Sequence, residues 1–320
     1  MDSTEVDAYL RRIGVEPPVR PTVEALRELQ LRHLQSVPFE NLSVHLGEEI
    51  VLEEKRLLDK VVGARRGGFC YELNGAFGSL LAALGFDVHL LAARVYGDEG
   101  RLGIPYDHLA LRVQTVDGGA WLADVGFGAH SHYPLAFEAR EEQQDPGGIF
   151  RIAEAGPDLA GVRGGDGAAQ TRAEEEKGTE EKGAGESSTA GAGVPEAETL
   201  EREAAERSRV DAADLDVVVD GRAQYRLETR PRVLGDFVAG AWWHSTSPAS
   251  HFTQSLVCSR VTQDGGRITL SGRTAKVTGP GGVREERELG TDEEVLGMYR
   301  ERFGIELDSV PTVRNRNRNG

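Results

Sequence analysis

Of the two cysteines in this 320-residue chain, one lies in the stretch GARRGGFCYELNGAF, residues 63–77. Cys70 stands where a helix is expected to begin. At such a terminus the unpaired backbone N–H groups and the positive end of the dipole favour thiolate over thiol. Arg65 and Arg66 add positive potential, while Gly67 and Gly68 remove side chains that would block the sulfur. The same N–H groups suit one wall of an oxyanion hole. The chemistry these features would serve is nucleophilic attack by sulfur. A buried cysteine acting as a small hydrophobe is the other reading, and the stretch alone leaves both open.

A cysteine nucleophile needs a base within hydrogen-bond reach, and the base needs an orienting acceptor. Of eight histidines, His108 has the most telling context. It opens the strand-like HLALRV after a Gly- and Pro-containing loop, so its ring can project from the end of a sheet. Asp124 lies inside the apolar run WLADVGFG, where a carboxylate needs a partner. Pairing of 108–116 with 120–127 across the Asp-Gly-Gly turn would bring Asp124 beside His108. There it would accept a hydrogen bond from Nδ1–H, fix the tautomer and stabilise an imidazolium–thiolate pair. Asp107 is the competing acceptor, but by strand alternation it faces the other way. His130 and His132, near Asp124, are the one histidine spacing that hints at a metal. Cys258, in SLVCSRV, reads as core.

The elements that must position these residues follow a coarse order. Residues 1–84 read as helices. TVEALRELQLRHLQ (22–35) starts at Thr22, a side chain able to cap it, and CYELNGAFGSLLAALG (70–85) repeats apolar residues at helical spacing and stops at Gly85. After Gly85 the period becomes that of strands: FDVHLLAARVY, HLALRVQTV and AWLADVGF run in succession with turns between them. Such a series implies an antiparallel sheet or barrel. Later, YRLE, HFTQSLVCSRV, RITLSG and TAKVTG read as strands and GDFVAGAWWHSTSP as a helix and turn. TDEEVLGMYRERFG (291–304) reads as a terminal helix with Thr291 and Glu294 forming a capping box. Trp242 and Trp243 suggest aromatic packing at a domain junction.

From Arg151 to Asp216 there is no aromatic residue, and 17 acidic side chains stand against 8 basic ones. This Glu-, Gly-, Ala- and Ser-rich segment cannot bury enough apolar surface to offset its ordering entropy, so it is expected to be a disordered insert. The formal charge of −16 argues against nucleic-acid and anionic-membrane partners. Two cysteines are too few for a disulfide framework and fit a reducing cytosol. With no spanning apolar run and no signal-peptide pattern at the N-terminus, a soluble cytoplasmic protein is expected.

RRGGFCYELNGAF, PFENL (38–42), DHLALRV (107–113), LADVGFG (122–128) and STSPASHF (245–252) together resemble the arylamine N-acetyltransferases. The resemblance implies an α+β fold with an N-terminal helical bundle (1–85), an antiparallel β-barrel (86–230, with the insert at about 151–216) and a C-terminal α/β lid (231–320) around a papain-like catalytic core. It makes Cys70 the nucleophile, His108 the base and Asp124 the orienting carboxylate. It also implies acetyl-CoA as co-substrate with no metal, and aromatic amines or hydrazines as acceptors. Phe39 and Phe127 correspond to the acceptor pocket; Gly126, Phe127, Gly128, Thr246 and Ser247 correspond to coenzyme A contacts. A related amide synthase, passing an acyl chain to an arylamine through the same three residues, is the alternative. The acidic insert and the Ala241-Trp242 pair before the Thr-Ser-Pro segment depart from the family's pattern.

Overall fold

The computed structural model describes residues 1–97, 100–156 and 214–314. The first third is helical, as the spacing predicts. Helix α1 (Ser3–Ile13) is capped by Asp2 and Glu5, and α2 (Val23–Ser36) begins at Thr22, whose hydroxyl accepts the Ala25 N–H. Short helices α3 (Leu42–Leu46) and α4 (Glu54–Leu58) follow, the second running on as a wider turn to Gly63. Helix α5 (Cys70–Ala83) is almost wholly buried, from Cys70 to Gly78 without a break. An apolar helix with no polar face belongs at the centre of a core. Leu73, Phe77, Leu80 and Leu81 pack there against Leu26, Leu29 and Tyr9.

Eight strands form a strongly curved antiparallel sheet: β2 (Asp87–Val95), β3 (His108–Gln114), β4 (Ala120–Ala123), β5 (Leu135–Ala136), β6 (Gln143–Asp145), β7 (Gly148–Glu154), β8 (Leu215–Val219) and β9 (Arg222–Arg232). Their spatial order is β5-β4-β3-β2-β9-β8-β7-β6. The two outer strands meet through Gln143, whose side-chain amide accepts the Ala136 N–H at 2.7 Å and donates to the Ala136 carbonyl at 3.2 Å. This side-chain bridge nearly closes a barrel whose interior holds Leu91, Leu122, Phe150, Val217 and Leu227.

A second sheet is stitched from distant segments. Strand β1 (Phe39–Glu40), inside the helical third, pairs with β10 (Cys258–Val261), which continues through β11 (Arg267–Ser271), β12 (Thr274–Thr278) and β13 (Arg284–Glu288). Helix α8 (Asp292–Met298) starts at the Thr291–Glu294 capping box and extends to Phe303; its Val295, Tyr299 and Phe303 cover Cys258, Ile268 and Leu270. Between barrel and lid lie a 3-10 turn (Leu234–Phe237), α6 (Val238–Thr246) and the short α7 (His251–Gln254). Among the described residues no helix is long and apolar enough to cross a membrane.

Three expectations change. HFTQSLVCSRV is not one strand. Ser250 caps α7 through the Phe252 N–H, and the Asn41 amide takes the Phe252 and Ser255 carbonyls and the Val257 N–H, groups a longer strand would have used. Strand β13 was not foreseen because REERE is exposed at every position and has no apolar alternation. The expected insert also begins too early and ends too late. Arg151–Glu154 belongs to β7 and Leu215–Asp216 to β8, with Ala153 opposite Asp216 and Glu154 opposite Leu215. The expectation of disorder for the remainder falls on residues 157–213, outside the described residues.

The segment therefore leaves and rejoins the barrel at two adjacent strand ends, tied by the Ala155 N–H to the Asp214 carbonyl at 2.9 Å. Loop-closure entropy grows only slowly with length. Deleting residues 160–205 is expected to shift the thermal midpoint by less than about 5 °C. A larger loss on calorimetry would show that the segment contributes to the fold.

Candidate functional site

The approach to Cys70 is fixed before the helix begins. The Gly68 carbonyl accepts the Glu40 N–H at 2.9 Å, so β1 lies alongside the loop. A Cβ on Gly67 would sit 1.8 Å from the Pro38 carbonyl oxygen. That glycine thus serves a backbone-on-backbone contact, rather than the access to sulfur expected from sequence. Arg66 is likewise not directed at the thiol. Its guanidinium pairs with buried Glu40 at 2.9 Å and with Glu48 at 3.2 Å, while Arg65 points to solvent. Lys60 donates to Glu72 at 2.6 Å, and Glu72 accepts the Phe69 N–H at 3.2 Å, closing the helix start. Burial raises the Glu72 carboxyl pKa against the pull of Lys60. Burial also opposes ionisation of Glu40, but Lys60 and Arg66 overcome it and hold that carboxyl below its ordinary value.

Cys70 is thereby presented at the first turn of α5, beside the base predicted for it. Register pairs Leu111 with Ala123; one residue further, Asp124 falls diagonal to His108 on the same face. His108 Nε2 donates to Asp124 Oδ2 at 2.7 Å. This corrects the expected Nδ1 contact and leaves Nδ1 as the ring nitrogen for Cys70, which lines the same cavity as His108. Burial works against the imidazolium, but the charge and hydrogen bond of Asp124, together with Cys70, push the His108 pKa up to about 10. Burial likewise opposes the Asp124 carboxylate, yet His108, His130 and Asn74 hold its pKa well below the carboxylate range.

Asp124 is buried among donors that the sequence did not reveal. Asn74, one helical turn after Cys70, donates to Oδ1 at 2.9 Å and to the Leu109 carbonyl at 2.6 Å, and accepts the Val125 N–H at 2.9 Å. The Gly126 N–H reaches Oδ1 at 2.9 Å, and the Tyr225 hydroxyl reaches Oδ2 at 3.2 Å. Behind Tyr225, His130 Nε2 donates to its hydroxyl at 2.9 Å while Nδ1 accepts the Ser131 N–H at 2.6 Å. Burial lowers the His130 pKa to about 4, so the ring is a neutral donor here. Both its nitrogens are engaged, and among the described residues no group of three or more potential ligands could hold a metal. Asn74 could have been read as a polar side chain at helical spacing from Cys70 on an otherwise apolar helix. Nothing local marks Tyr225.

Cys70 and His108 line a cavity of about 770 Å³, shared with Phe39, Gly126 and Phe127 and with Trp243 and Phe252. Gly126 packs so close that a Cβ would lie 2.6 Å from the Cys70 Cα. Gly128 has φ +90° and passes against the Phe39 ring. Thr246 lies elsewhere, on a second cavity of about 520 Å³ with Trp242, and Ser247 lines neither cavity. Cys258 is core, as expected. A thiol sharing an aromatic-walled cavity with an imidazole that a buried carboxylate holds is an arrangement that can carry acyl transfer.

Comparison with known proteins agrees. The family model described as N-acetyltransferase matches residues 22–312. The arylamine N-acetyltransferase / N-hydroxyarylamine O-acetyltransferase of Salmonella typhimurium is 30% identical over 304 residues, 95% of this chain and 89% of that protein. The arylamine N-acetyltransferase of Mycolicibacterium smegmatis is 31% identical over 312 residues, 96% and 94% respectively. Among solved structures, the Salmonella typhimurium enzyme matches with TM-score 0.73 at 28% identity, over 98% of this chain and 96% of that one. Mycobacterium marinum arylamine N-acetyltransferase in complex with CoA matches with TM-score 0.70 at 28% identity, over 94% and 92%.

The buried pair makes a pH prediction. The folded His108 pKa lies above its unfolded value, so its share of stability is full below about pH 6.5 and is lost as pH rises through about 10. The folded Asp124 pKa lies below its unfolded value, so its share is present above the ordinary carboxylate range and is lost as pH falls. In denaturant titrations between about pH 6 and 10, wild type is expected to lose stability more steeply than Asp124→Asn. Equal slopes would show that the pair is not the source.

Proposed function

The chain belongs to the arylamine N-acetyltransferase family, and from that premise we propose that Cys70, His108 and Asp124 carry acetyl transfer from acetyl-CoA to an aromatic amine, hydrazine or hydroxylamine. The observation that carries the assignment is the His108 ring, held by Asp124 at 2.7 Å and lining one cavity with Cys70.

The sulfur of Cys70, its proton on His108, attacks the acetyl carbonyl carbon. The bond from that carbon to the coenzyme A sulfur breaks, and the departing thiolate takes the proton from the imidazolium. The acetyl group is now a thioester on Cys70, reactive enough to acylate a weakly basic aromatic nitrogen. In the second half, the acceptor nitrogen attacks the same carbon and its proton passes to His108 as the tetrahedral intermediate forms. The carbon–Sγ bond then breaks and Cys70 is restored. Asp124 stays ionised throughout and keeps Nε2 occupied, so only the nitrogen facing the sulfur exchanges protons.

Aromatic walls suit an aromatic acceptor. Phe127 stands edge-on to His108 with centroids 5.1 Å apart, and Phe39 lies 6.0 Å from Phe252. We assign Phe39 and Phe127 to the acceptor ring, since offset and edge contacts favour arenes over aliphatic amines. Gly126, Phe127 and Gly128 remain the donor contacts of this reading. Thr246 and Ser247, outside the thiol cavity, fit only parts of coenzyme A remote from the thioester.

Intact-mass measurement after incubation with acetyl-CoA is expected to show one acetyl group on wild type, discharged by an arylamine, and none on Cys70→Ala. Asp124→Asn and His108→Ala should each lower transfer on the order of a thousandfold. Substantial transfer by Cys70→Ala would sink the mechanism.

A further inference from the structure

A second carboxylate–imidazole pair lies beside the first and is not used by the chemistry above. Asp107 directly precedes His108, and its carboxylate faces away from that ring. Oδ2 accepts the Val95 N–H at 3.1 Å, and Oδ1 accepts His244 Nε2 at 2.8 Å. The other nitrogen of His244, Nδ1, bonds the Ser250 hydroxyl at 3.2 Å, and Ser250 also accepts the Phe252 N–H at 3.2 Å. His244 and Ser250 are buried, and with Asp107 they line the cavity that holds Cys70. His244 belongs to α6, so this chain of bonds runs from the lid side of the cavity to the residue that leads into His108.

The backbone at that junction is held in a conformation that needs support. Tyr106 has φ +58°, in the left-handed region that residues with a Cβ seldom occupy. Two carbonyls, those of Tyr106 and Asp107, share the Tyr71 hydroxyl at 2.7 and 3.0 Å. Tyr71 directly follows Cys70. The segment entering His108 is therefore clamped from α5, from the end of β2 and from α6.

We propose that His244 is a positioning residue for acetyl transfer. Through Asp107 it fixes the backbone that sets the approach of His108 to Cys70, and so couples seating of α6 to readiness of the thiol. The proposal rests on Cys70 and His108 being the reacting pair. Displacement of about 1 Å between reacting groups is enough to slow a reaction by roughly a hundredfold, so a clamp one residue from the base has leverage over the thiol–imidazole geometry.

The test uses iodoacetamide on Cys70 at neutral pH without acetyl-CoA, followed by steady-state acetyl transfer. His244→Ala is expected to slow Cys70 alkylation and kcat by about tenfold or more, with KM for acetyl-CoA within about twofold. His244→Gln keeps an amide N–H for Asp107 and should recover most of both. Folded His244→Ala that alkylates at the wild-type rate overturns the proposal, as does His244→Gln remaining as slow as His244→Ala. If His244→Ala does not fold, Asp107→Asn takes its place. It still accepts the Val95 N–H but loses the carboxylate facing His244, and a wild-type alkylation rate there also overturns the proposal. Wild type that alkylates readily yet takes no acetyl group from acetyl-CoA would instead overturn the function proposed above.

Discussion

The site depends on keeping one carboxylate ionised where water does not reach it. Asp124 is buried, and an isolated charge there would cost several kcal/mol. It is affordable only because donors converge on both oxygens: Asn74 and the Gly126 N–H on one, His108 and Tyr225 on the other. These donors come from α5, from the turn after β4, from β3 and from β9. Satisfying one carboxylate therefore locks the helix that carries Cys70 to three parts of the barrel. The stability of this packing and the geometry of the thiol–imidazole pair are two consequences of one electrostatic requirement.

The position of Cys70 follows from a second buried charge network. Arg66, Glu40, Lys60 and Glu72 neutralise one another around the loop before α5. Glu40 also stands on β1, which pairs with β10 of the lid sheet. The helix start is thus tied to the C-terminal sheet as well as to the barrel. Removing one partner from a buried pair leaves its counterpart uncompensated, so the loss of any single member destabilises the helix start. The network holds the Cys70 end of the cavity from the helical third and the lid sheet, while aromatic side chains from several elements form the walls.

That Cys70, His108 and Asp124 would come together could be read from the chain because each carries a local signal: a helix start after glycines, a histidine opening a strand, a carboxylate inside an apolar run. Helix boundaries at Thr22, Gly85 and Thr291 were equally legible, since caps are made by residues a few positions apart. The exposed β13 was not, because REERE has no apolar alternation, and the two-residue β1 was not, because it exists only through pairing with a strand far away in sequence. His251–Gln254 went wrong for the same reason, its backbone being captured by Asn41.

What the sequence determined by itself was the set of candidate residues and the coarse order of elements, since residue type and short-range period are local properties. Tertiary structure alone decided how they act. Which histidine nitrogen meets Asp124, which oxygen Tyr225 bonds and where Arg66 spends its charge are set by approach across the core. Gly67 changed meaning in the same way. Its missing side chain makes room for the Pro38 carbonyl, a neighbour brought there by the chain's path through the fold.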